Sequence, residues 1–238
     1  IGELERAAAR ELLVRRARGE PCAYVLGERE FYGRTFSLSP ATLDPRPDSE
    51  TLITATLEIV AEEGWRRTPL RLIDIGTGSG CLLLTLLAEL PLARGLGTDA
   101  SVAALDVARR NAECLGLTAR AEFRPRRWLE GACDTFDILV CNPPYISTGR
   151  LAADRAALLE NEPREAFDGG PYGLSIHQRV LADAPRFLKP GGWLFMEFGV
   201  GQHRQVKILI ERTKRFPPPE FVSDRQNAPR VVVTQTLA

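Results

Sequence analysis

The clearest fold signal in this sequence is a double proline directly after an apolar run. Residues 140–146 read Val-Cys-Asn-Pro-Pro-Tyr-Ile, and residues 136–139 before them read Phe-Asp-Ile-Leu, which is typical of a buried strand. Proline has no N–H group, so Pro143 and Pro144 cannot continue a central ladder. The residue before a proline is pushed toward extended geometry, which restricts Asn142. The pattern predicts a stiff loop at the carboxyl end of a strand, where open α/β sheets bind their ligands.

The side chains of this loop suit a reaction at a nitrogen atom whose lone pair is delocalised. An amide or aromatic-amine nitrogen is a poor nucleophile for that reason. The Asn142 side-chain oxygen and the Pro143 carbonyl can accept its two N–H groups, so that the lone pair points at an electrophile. Tyr145 can cover the flat face of such a substrate. Asn-Pro is also a common turn opener, and the motif alone is equally consistent with a plain turn.

A glycine-rich loop follows an earlier predicted strand. Residues 70–75 predict a buried strand, residues 76–80 read Gly-Thr-Gly-Ser-Gly, and residues 81–90 predict an apolar helix. Strand, glycine loop and helix are the opening of a nucleotide-type βαβ unit. A dinucleotide fingerprint requires glycine at position 81, which is Cys81 here. The Gly-x-Gly-x-Gly spacing therefore favours S-adenosylmethionine over NAD.

The candidate cofactor-binding residues lie around this loop and at the end of the next strand. Asp99 ends that strand and is placed to accept both ribose hydroxyl hydrogens; its alternative role is the N-cap of a helix. The predicted set is Asp74, Gly76, Thr77, Gly78, Ser79, Gly80, Asp99 and Asn142.

The rest of the chain alternates between helices and strands. A helix is predicted over residues 1–18, a β-hairpin around Gly33, and a helix after Asp48 with that residue as its N-cap. Further strands are predicted at 96–98, 122–124, 193–198, 220–222 and 230–234, with helices at 101–114, 180–188 and 202–212 between them. This order predicts an α/β fold with a Rossmann-like, doubly wound and mostly parallel sheet.

Composition narrows the possible partners. Among 238 residues, Lys+Arg and Asp+Glu both number 31, and this absence of a basic excess counts against duplex binding. The cysteine count is odd, at 5, and no Cys-x-x-Cys occurs, which predicts reduced intracellular thiols without disulfides or a zinc site. No apolar run reaches membrane-spanning length. We expect no metal, no membrane and no direct nucleic-acid partner.

Four stretches, in order, carry a resemblance to a known family. They are residues 24–27 with 30–33, residues 45–50, residues 142–146 and residues 162–170. Together they resemble the HemK/PrmC family of release-factor glutamine methyltransferases, which are class I S-adenosylmethionine-dependent enzymes with an Asn-Pro-Pro-Tyr motif. The resemblance covers roughly residues 20 to 235.

The resemblance implies a division of the chain, a reaction and a partner. Residues 1–27 would be a truncated remnant of a helical substrate-recognition domain, residues 28–44 a hairpin linker, and residues 45–238 the methyltransferase domain. The methyl group of S-adenosylmethionine would pass to the side-chain nitrogen of the glutamine in the Gly-Gly-Gln motif of peptide-chain release factors, leaving S-adenosylhomocysteine. Such an enzyme is expected to be cytoplasmic and monomeric. The implied catalytic residues are Asn142, Pro143 and Tyr145, with Pro144 as a further substrate contact.

The chain departs from the family pattern next to the expected adenine position, and again after Gly170, where Tyr172 and Ser175 stand at positions that are more commonly acidic. Trp128 fits the position expected to line the adenine ring, but Arg126 and Arg127 stand before it where the family usually has a carboxylate. Arginine cannot accept a hydrogen bond from the adenine amine.

For Glu197, at a strand end, structural hydrogen bonding is favoured over substrate contact. Arg46 either pairs with a carboxylate across the site or clamps the hairpin, with the structural role favoured.

Two other functions remain open at this point. An adenine-N6 DNA or RNA methyltransferase would use the same loop on a flipped base, with Tyr145 stacking on it. The balanced charge and the absence of a recognisable target-recognition segment count against this alternative. A non-catalytic S-adenosylmethionine-binding module is the other alternative, and the intact Asn142 and Tyr145 count against it.

Overall fold

The computed structural model describes residues 2–126, 134–153 and 161–237. Within these residues, a seven-stranded sheet carries helices on both faces, and a separate two-stranded hairpin precedes it. The strands are β1 (Glu28–Phe31), β2 (Arg34–Ser37), β3 (Arg71–Ile75), β4 (Arg94–Asp99), β5 (Ala121–Pro125), β6 (Phe136–Cys141), β7 (Leu188–Glu197), β8 (Glu220–Ser223) and β9 (Pro229–Gln235). The helices are α1 (Glu3–Ala17), α2 (Cys22–Leu26), α3 (Glu50–Glu62), α4 (Cys81–Glu89), α5 (Val102–Cys114), α6 (Thr148–Ala153), α7 (Ser175–Asp183) and α8 (His203–Thr213).

The strand order of the large sheet is β5-β4-β3-β6-β7-β9-β8. The first five strands in this order (β5, β4, β3, β6 and β7) are parallel to one another, and β9 runs antiparallel to both β7 and β8. The chain moves outward from β3 through β4 to β5 and then returns to the other side of β3 as β6. The carboxyl ends of β3 and β6 therefore flank the switch point, where doubly wound sheets open a crevice for ligands. The predicted fold class is confirmed.

Burial on both faces explains the apolar runs of the central strands. On β3, Leu72 belongs to the core formed with α3, α4 and α5, whereas Ile73 belongs to the core formed with α7 and α8. Both side chains are fully buried. Central parallel strands covered on both faces read as continuous apolar sequence for this reason. The register pairs Ile75 with Cys141, so the loops that follow β3 and β6 begin side by side.

The segments before the sheet agree with the sequence in part. The predicted first helix and hairpin are confirmed as α1 and as the β1–β2 pair. No residue of α1 is buried, whereas α2 buries Ala23, Tyr24 and Val25. The division of the chain into residues 1–27, 28–44 and 45–238 stays a prediction.

The predicted N-cap of α3 is wrong. The residue at that position is Ser49, without a side-chain capping bond, and Asp48 lies in the preceding 3-10 helix, Pro47–Ser49. The Asp48 carboxylate instead pairs with Arg230 of β9, with Oδ2 3.1 Å from Nη2. The Asp48 carboxylate, which the local sequence assigns to the start of α3, thus pairs with Arg230 from a distant strand instead. In the part of the chain described, no helix combines the length and apolarity needed to cross a bilayer.

Candidate active site

The three glycines of the loop after β3 all have left-handed backbone angles. Their φ values are 72° at Gly76, 55° at Gly78 and 80° at Gly80, a region that glycine enters at little cost. A Cβ atom on Gly80 would lie 3.2 Å from the Ala108 Cβ, so this glycine is needed where α4 packs on α5. A Cβ on Gly76 or Gly78 would meet no atom within 4 Å, and both residues line a cavity. These two glycines leave space for a ligand to approach the backbone closely.

Asp74 supports this loop from behind. Its side chain is fully buried, and its Oδ2 accepts a hydrogen bond from the Thr77 hydroxyl at 2.6 Å. Burial raises the pKa of Asp74 to about 7; the Thr77 hydrogen bond opposes this shift and the Asp99 charge adds to it. Thr77 and Ser79 are buried as well, and the Ser79 carbonyl accepts a bond from Asn111. Four of the predicted cofactor residues therefore fix the loop rather than line the cavity: Asp74, Thr77, Ser79 and Gly80.

Asp99, at the end of β4, lines the cavity and anchors the loop. Its Oδ2 accepts a bond from the Gly78 N–H at 3.0 Å, and its Oδ1 accepts one from the Ser101 N–H at 2.9 Å. The N-cap of α5 is Ser101, whose Oγ accepts from the Ala104 N–H. The alternative role of Asp99 as N-cap is therefore wrong. Each carboxylate oxygen still has acceptor capacity for a second donor.

Two cavities meet at the loop after β6. The first, of about 540 Å³, lies between Gly76, Gly78 and Asp99 on one side and the segment 163–166 on the other. The second, of about 650 Å³, is lined by Tyr145 and includes Arg46, Arg150 and Arg230. Both cavities are lined by Asn142 and Pro143, while Pro144 lines the first. The structure thus brings the predicted catalytic loop to the boundary between the two spaces.

Two hydrogen-bond acceptors of this loop have no donor among the described residues. The Asn142 Nδ2 donates to the Ser49 Oγ at 3.0 Å, which commits the nitrogen end of the amide. No described residue donates to the Asn142 Oδ1 or to the Pro143 carbonyl. Adjacent acceptors without donors at the boundary of two cavities suit a ligand that carries two N–H groups.

A buried carboxylate anchors the other side chains around this loop. Glu197 is fully buried; its Oε2 accepts from the Ser49 hydroxyl at 2.6 Å and its Oε1 from the Tyr145 hydroxyl at 3.2 Å. Burial raises the pKa of Glu197, and the Ser49 hydrogen bond and the Arg230 charge oppose this. Burial and the Glu197 charge raise the pKa of Tyr145 well above its usual range. The structural role favoured for Glu197 is confirmed.

The sequence did not single out Ser49 or Arg230 as members of this site. Ser49 follows the Pro-Arg-Pro-Asp stretch, where a serine reads as ordinary helix-capping material. Arg230 stands on β9 beside apolar residues, and its guanidinium lies 5.7 Å from the centre of the Tyr145 ring. The place of each residue in the site depends on contacts between segments that are far apart along the chain.

The segment 162–170 explains why the loop after β6 keeps its shape. The Ile146 N–H donates to the Phe167 carbonyl at 3.0 Å, and the Gly169 N–H donates to the Ile146 carbonyl at 2.8 Å. A Cβ on Gly169 would lie 2.7 Å from the Pro144 carbonyl oxygen, and one on Gly173 would lie 2.4 Å from the Tyr145 carbonyl oxygen. Glycine is required wherever the two backbones come this close.

Arg46 joins the same segment to the stretch that follows the hairpin. Its Nη2 lies 2.5 Å from Glu162 Oε2, and its Nη1 lies 3.2 Å from Asp44 Oδ2. Glu162 Oε1 also accepts bonds from the Asp44 N–H at 3.1 Å and from the Tyr24 hydroxyl at 3.3 Å. Arg46 thus pairs with carboxylates, and these pairs have the structural role that the sequence analysis favoured, because they tie the segment of Glu162 to the stretch after the hairpin. Trp128, predicted to line adenine, lies outside the described residues.

Comparisons with known proteins agree with this architecture. Residues 68–228 match the family model described as a methyltransferase domain. The N-terminal domain of human METTL16, solved in complex with SAH, has the same fold: the TM-score is 0.64 at 19% identity, over 91% of this chain and 82% of that one. Strand order and neighbouring folds together identify the class I methyltransferase fold.

Two relatives of established family are much closer in sequence. The release factor glutamine methyltransferase of Bradyrhizobium diazoefficiens is 40% identical over 237 residues, which is 100% of this chain and 80% of that protein. The release factor glutamine methyltransferase of Rhodospirillum rubrum is 42% identical over 207 residues, covering 87% of this chain and 62% of that protein. This chain therefore belongs to the release factor glutamine methyltransferase family.

Proposed function

We propose that this protein transfers the methyl group of S-adenosylmethionine to the side-chain nitrogen of the glutamine in the Gly-Gly-Gln motif of peptide-chain release factors. The observation that carries the proposal is the pair of acceptors at Asn142 Oδ1 and Pro143 O, at the boundary of two cavities, in a chain of this family. The release factor would be a protein partner met in the cytoplasm, and we propose a monomeric enzyme.

The first cavity has the chemistry expected for the cofactor. Asp99 offers carboxylate oxygens to ribose hydroxyls, and the bare backbone of Gly76 and Gly78 permits close approach. Asp74 holds the loop in this shape through Thr77. When bound, S-adenosylmethionine supplies an electrophilic methyl carbon on a sulfonium centre. The cavity lining combines this glycine backbone with the carboxylates of Asp99 and Glu165 and the guanidinium of Arg126. The excess of carboxylate over cation fits a cationic sulfonium nucleoside better than a dinucleotide pyrophosphate.

The second cavity presents the glutamine side chain. The Asn142 Oδ1 and the Pro143 carbonyl accept the two N–H groups of the substrate amide, so its nitrogen faces the first cavity with the lone pair directed there. Tyr145 covers the flat face of the substrate amide. Positive charge develops on this nitrogen during transfer, and both acceptors stabilise it more strongly in the transition state than in the ground state. The proton can leave after transfer, so no general base with a shifted pKa is needed.

Labelled methyl transfer tests the proposal against its alternatives. The protein is incubated with methyl-labelled S-adenosylmethionine and either a release factor, the same factor with glutamate in place of the Gly-Gly-Gln glutamine, or adenine-containing DNA and RNA. We expect label only in the unmodified release factor. Label in nucleic acid would instead support an adenine-N6 methyltransferase, and cofactor binding without any transfer would support a non-catalytic module.

A further inference from the structure

We propose that Ser49 and Glu197 form a directional hydrogen-bond relay that fixes which end of the Asn142 amide faces the substrate. Both are positioning residues, because they contact Asn142 and Tyr145 rather than the reacting atoms. The inference rests on the proposed function, since the orientation of Asn142 matters only if its oxygen receives a substrate N–H. It deepens that function by naming what makes the site an acceptor site.

The direction of the relay follows from counting hydrogens. An ionised carboxylate can only accept, so the 2.6 Å contact between Ser49 Oγ and Glu197 Oε2 uses the single hydroxyl hydrogen of Ser49. Ser49 has no second hydrogen for Asn142 and must act as the acceptor in their 3.0 Å contact. Only the Nδ2 end of the Asn142 amide can donate. The Oδ1 end is therefore directed away from Ser49.

The groups around the far end of Glu197 favour its ionised form, which can only accept hydrogen bonds. The Tyr145 hydroxyl donates to Glu197 Oε1, and it stays protonated because its pKa is raised. Arg230 Nη2 lies 3.6 Å from the same oxygen, and the Arg230 side chain is 7% exposed. A cation and a hydroxyl donor thus face Oε1 while Ser49 faces Oε2. Burial raises the pKa of Glu197, and the Ser49 hydrogen bond, the Arg230 charge and the Tyr145 hydrogen bond oppose this shift. The relay has the stated direction while the carboxylate is ionised, because the neutral acid could donate to Ser49 and reverse it.

Reversal would convert an acceptor site into a donor site. The two ends of an asparagine amide have nearly the same shape, so packing alone does not choose between them. With the amide turned over, Nδ2 would point at the N–H groups of the substrate. One of the two acceptors would be lost, and a donor would oppose a donor. Removing one such transition-state hydrogen bond in an enzyme lowers kcat by about a hundredfold or more.

Glu197→Gln should reverse the relay without changing its shape. Arg230 and the Tyr145 hydroxyl are donors, so the carboxamide oxygen stays on their side and the NH₂ group turns to Ser49. Ser49 then accepts from Gln and directs its hydrogen at Asn142, which presents its oxygen to Ser49. We expect kcat on the release factor to fall about a hundredfold, with the cofactor KM unchanged.

A double variant separates this relay from a merely structural role. Ser49→Ala alone releases Asn142 without forcing either orientation, and we expect kcat to fall about tenfold. Adding Ser49→Ala to Glu197→Gln removes the donor that holds Asn142 in the wrong orientation, so the double variant should turn over faster than Glu197→Gln alone. The matched control is Thr56→Val, which removes a buried hydroxyl of α3 whose one hydrogen bond among the described residues is to the Leu52 carbonyl.

The sign of the double-variant effect decides the inference. A turnover at least threefold above that of Glu197→Gln supports the relay, and an equal or lower turnover overturns it. If Glu197→Gln does not fold, hydrogen exchange of the Asn142 side-chain NH₂, assigned in nitrogen-15 spectra by its loss in Asn142→Ala, decides instead. Exchange should be at least tenfold faster in Ser49→Ala, and an unchanged rate overturns the relay. If the wild-type protein transfers no labelled methyl group to a release factor, that result would contradict the proposed function instead. The exchange measurement uses neither S-adenosylmethionine nor a release factor, so the two failures are distinguishable.

Discussion

At the scale of single residues, two aspartates near the glycine loop have different tasks because their surroundings differ. Asp74 is fully buried and bonded to Thr77, whereas Asp99 lines the cavity with acceptor capacity left on both oxygens. Asp74 therefore supports the loop, and we propose that Asp99 binds the ligand. The sequence predicts both positions but assigns them one common role, because residue type and spacing do not reveal which side chain is buried.

Replacing Asp99 with alanine should weaken S-adenosylmethionine binding. The cofactor loses a charged acceptor for its ribose hydroxyls, and the Gly78 N–H loses its partner, at a cost of roughly 1.5–3 kcal/mol in binding free energy. Calorimetry measures the affinity. Asp106→Ala, which removes an exposed carboxylate of α5 paired with Arg109, is the control and should bind as the wild type does. Equal affinity in the Asp99 variant would remove this residue from the site.

Replacing Asp74 with asparagine should change how stability depends on pH. The folded carboxyl holds its proton up to about pH 7, whereas the unfolded one releases it near 3.8. The folded state therefore binds more protons between these values, and wild-type stability falls as pH rises through this window. Asparagine is neutral throughout, so the Tm of the variant should gain on the wild type from pH 5 to pH 8. The measurement is thermal unfolding of the ligand-free proteins, and a constant Tm difference would show that Asp74 does not titrate there.

At the scale of elements, the loop after β6 depends on a segment that the sequence marks only as a motif. Residues 162–170 bind Ile146 through two backbone hydrogen bonds, and Gly169 and Gly173 allow the two backbones to come into contact. The strands, the glycine loop and the helix after it could be predicted because periodicity and local turn chemistry define them. The bracing of one loop by another could not, because it depends on which distant backbones meet.

Gly173→Ala should lower turnover by more than the backbone strain of a left-handed alanine alone would explain. Gly173 has a φ of 72°, and its new Cβ would lie 2.4 Å from the Tyr145 carbonyl oxygen, so this backbone must move. Gly116 is the matched control, with a φ of 68° and no atom within 4 Å of the added Cβ. We expect Gly116→Ala to cost about 1–2 kcal/mol of unfolding free energy and little turnover. Gly173→Ala should lose substantially more turnover; comparable kinetics of the two variants would show that the contact does not hold Tyr145.

At the scale of the whole molecule, Glu162 connects three parts of the chain. Its buried carboxylate meets Tyr24 of α2, the Asp44 N–H after the hairpin, and Arg46 before α3. The segment that carries Glu162 also walls the first cavity through Pro163 and Ala166. The sequence shows these stretches as separate motifs of one family. That they converge on one carboxylate is a set of tertiary contacts between distant segments, which local patterns do not reveal.

Glu162→Gln should lower the stability of the fold. Glutamine keeps one acceptor but loses the charge that Arg46 pairs with, and it places donors in a buried position among donors. We expect a loss of about 1–3 kcal/mol in unfolding free energy, measured by denaturant titration. Glu165→Gln, three residues further on and exposed, is the control and should change little. An unchanged midpoint in Glu162→Gln would mean that this carboxylate does not hold the three parts together.

The measurement that bears most directly on the mechanism is the turnover of Asn142→Ala on a release factor. The variant loses one side chain from the wall shared by the two cavities but keeps the glycine loop and the Asp99 contacts. S-adenosylmethionine affinity by calorimetry should therefore stay near that of the wild type. Methyl transfer to the Gly-Gly-Gln glutamine should nearly vanish, because the substrate nitrogen loses the acceptor that directs its lone pair. If Asn142→Ala retains more than about a tenth of wild-type turnover, equivalent to a barrier change of only ~1.4 kcal/mol, alignment by Asn142 is not the main source of catalysis.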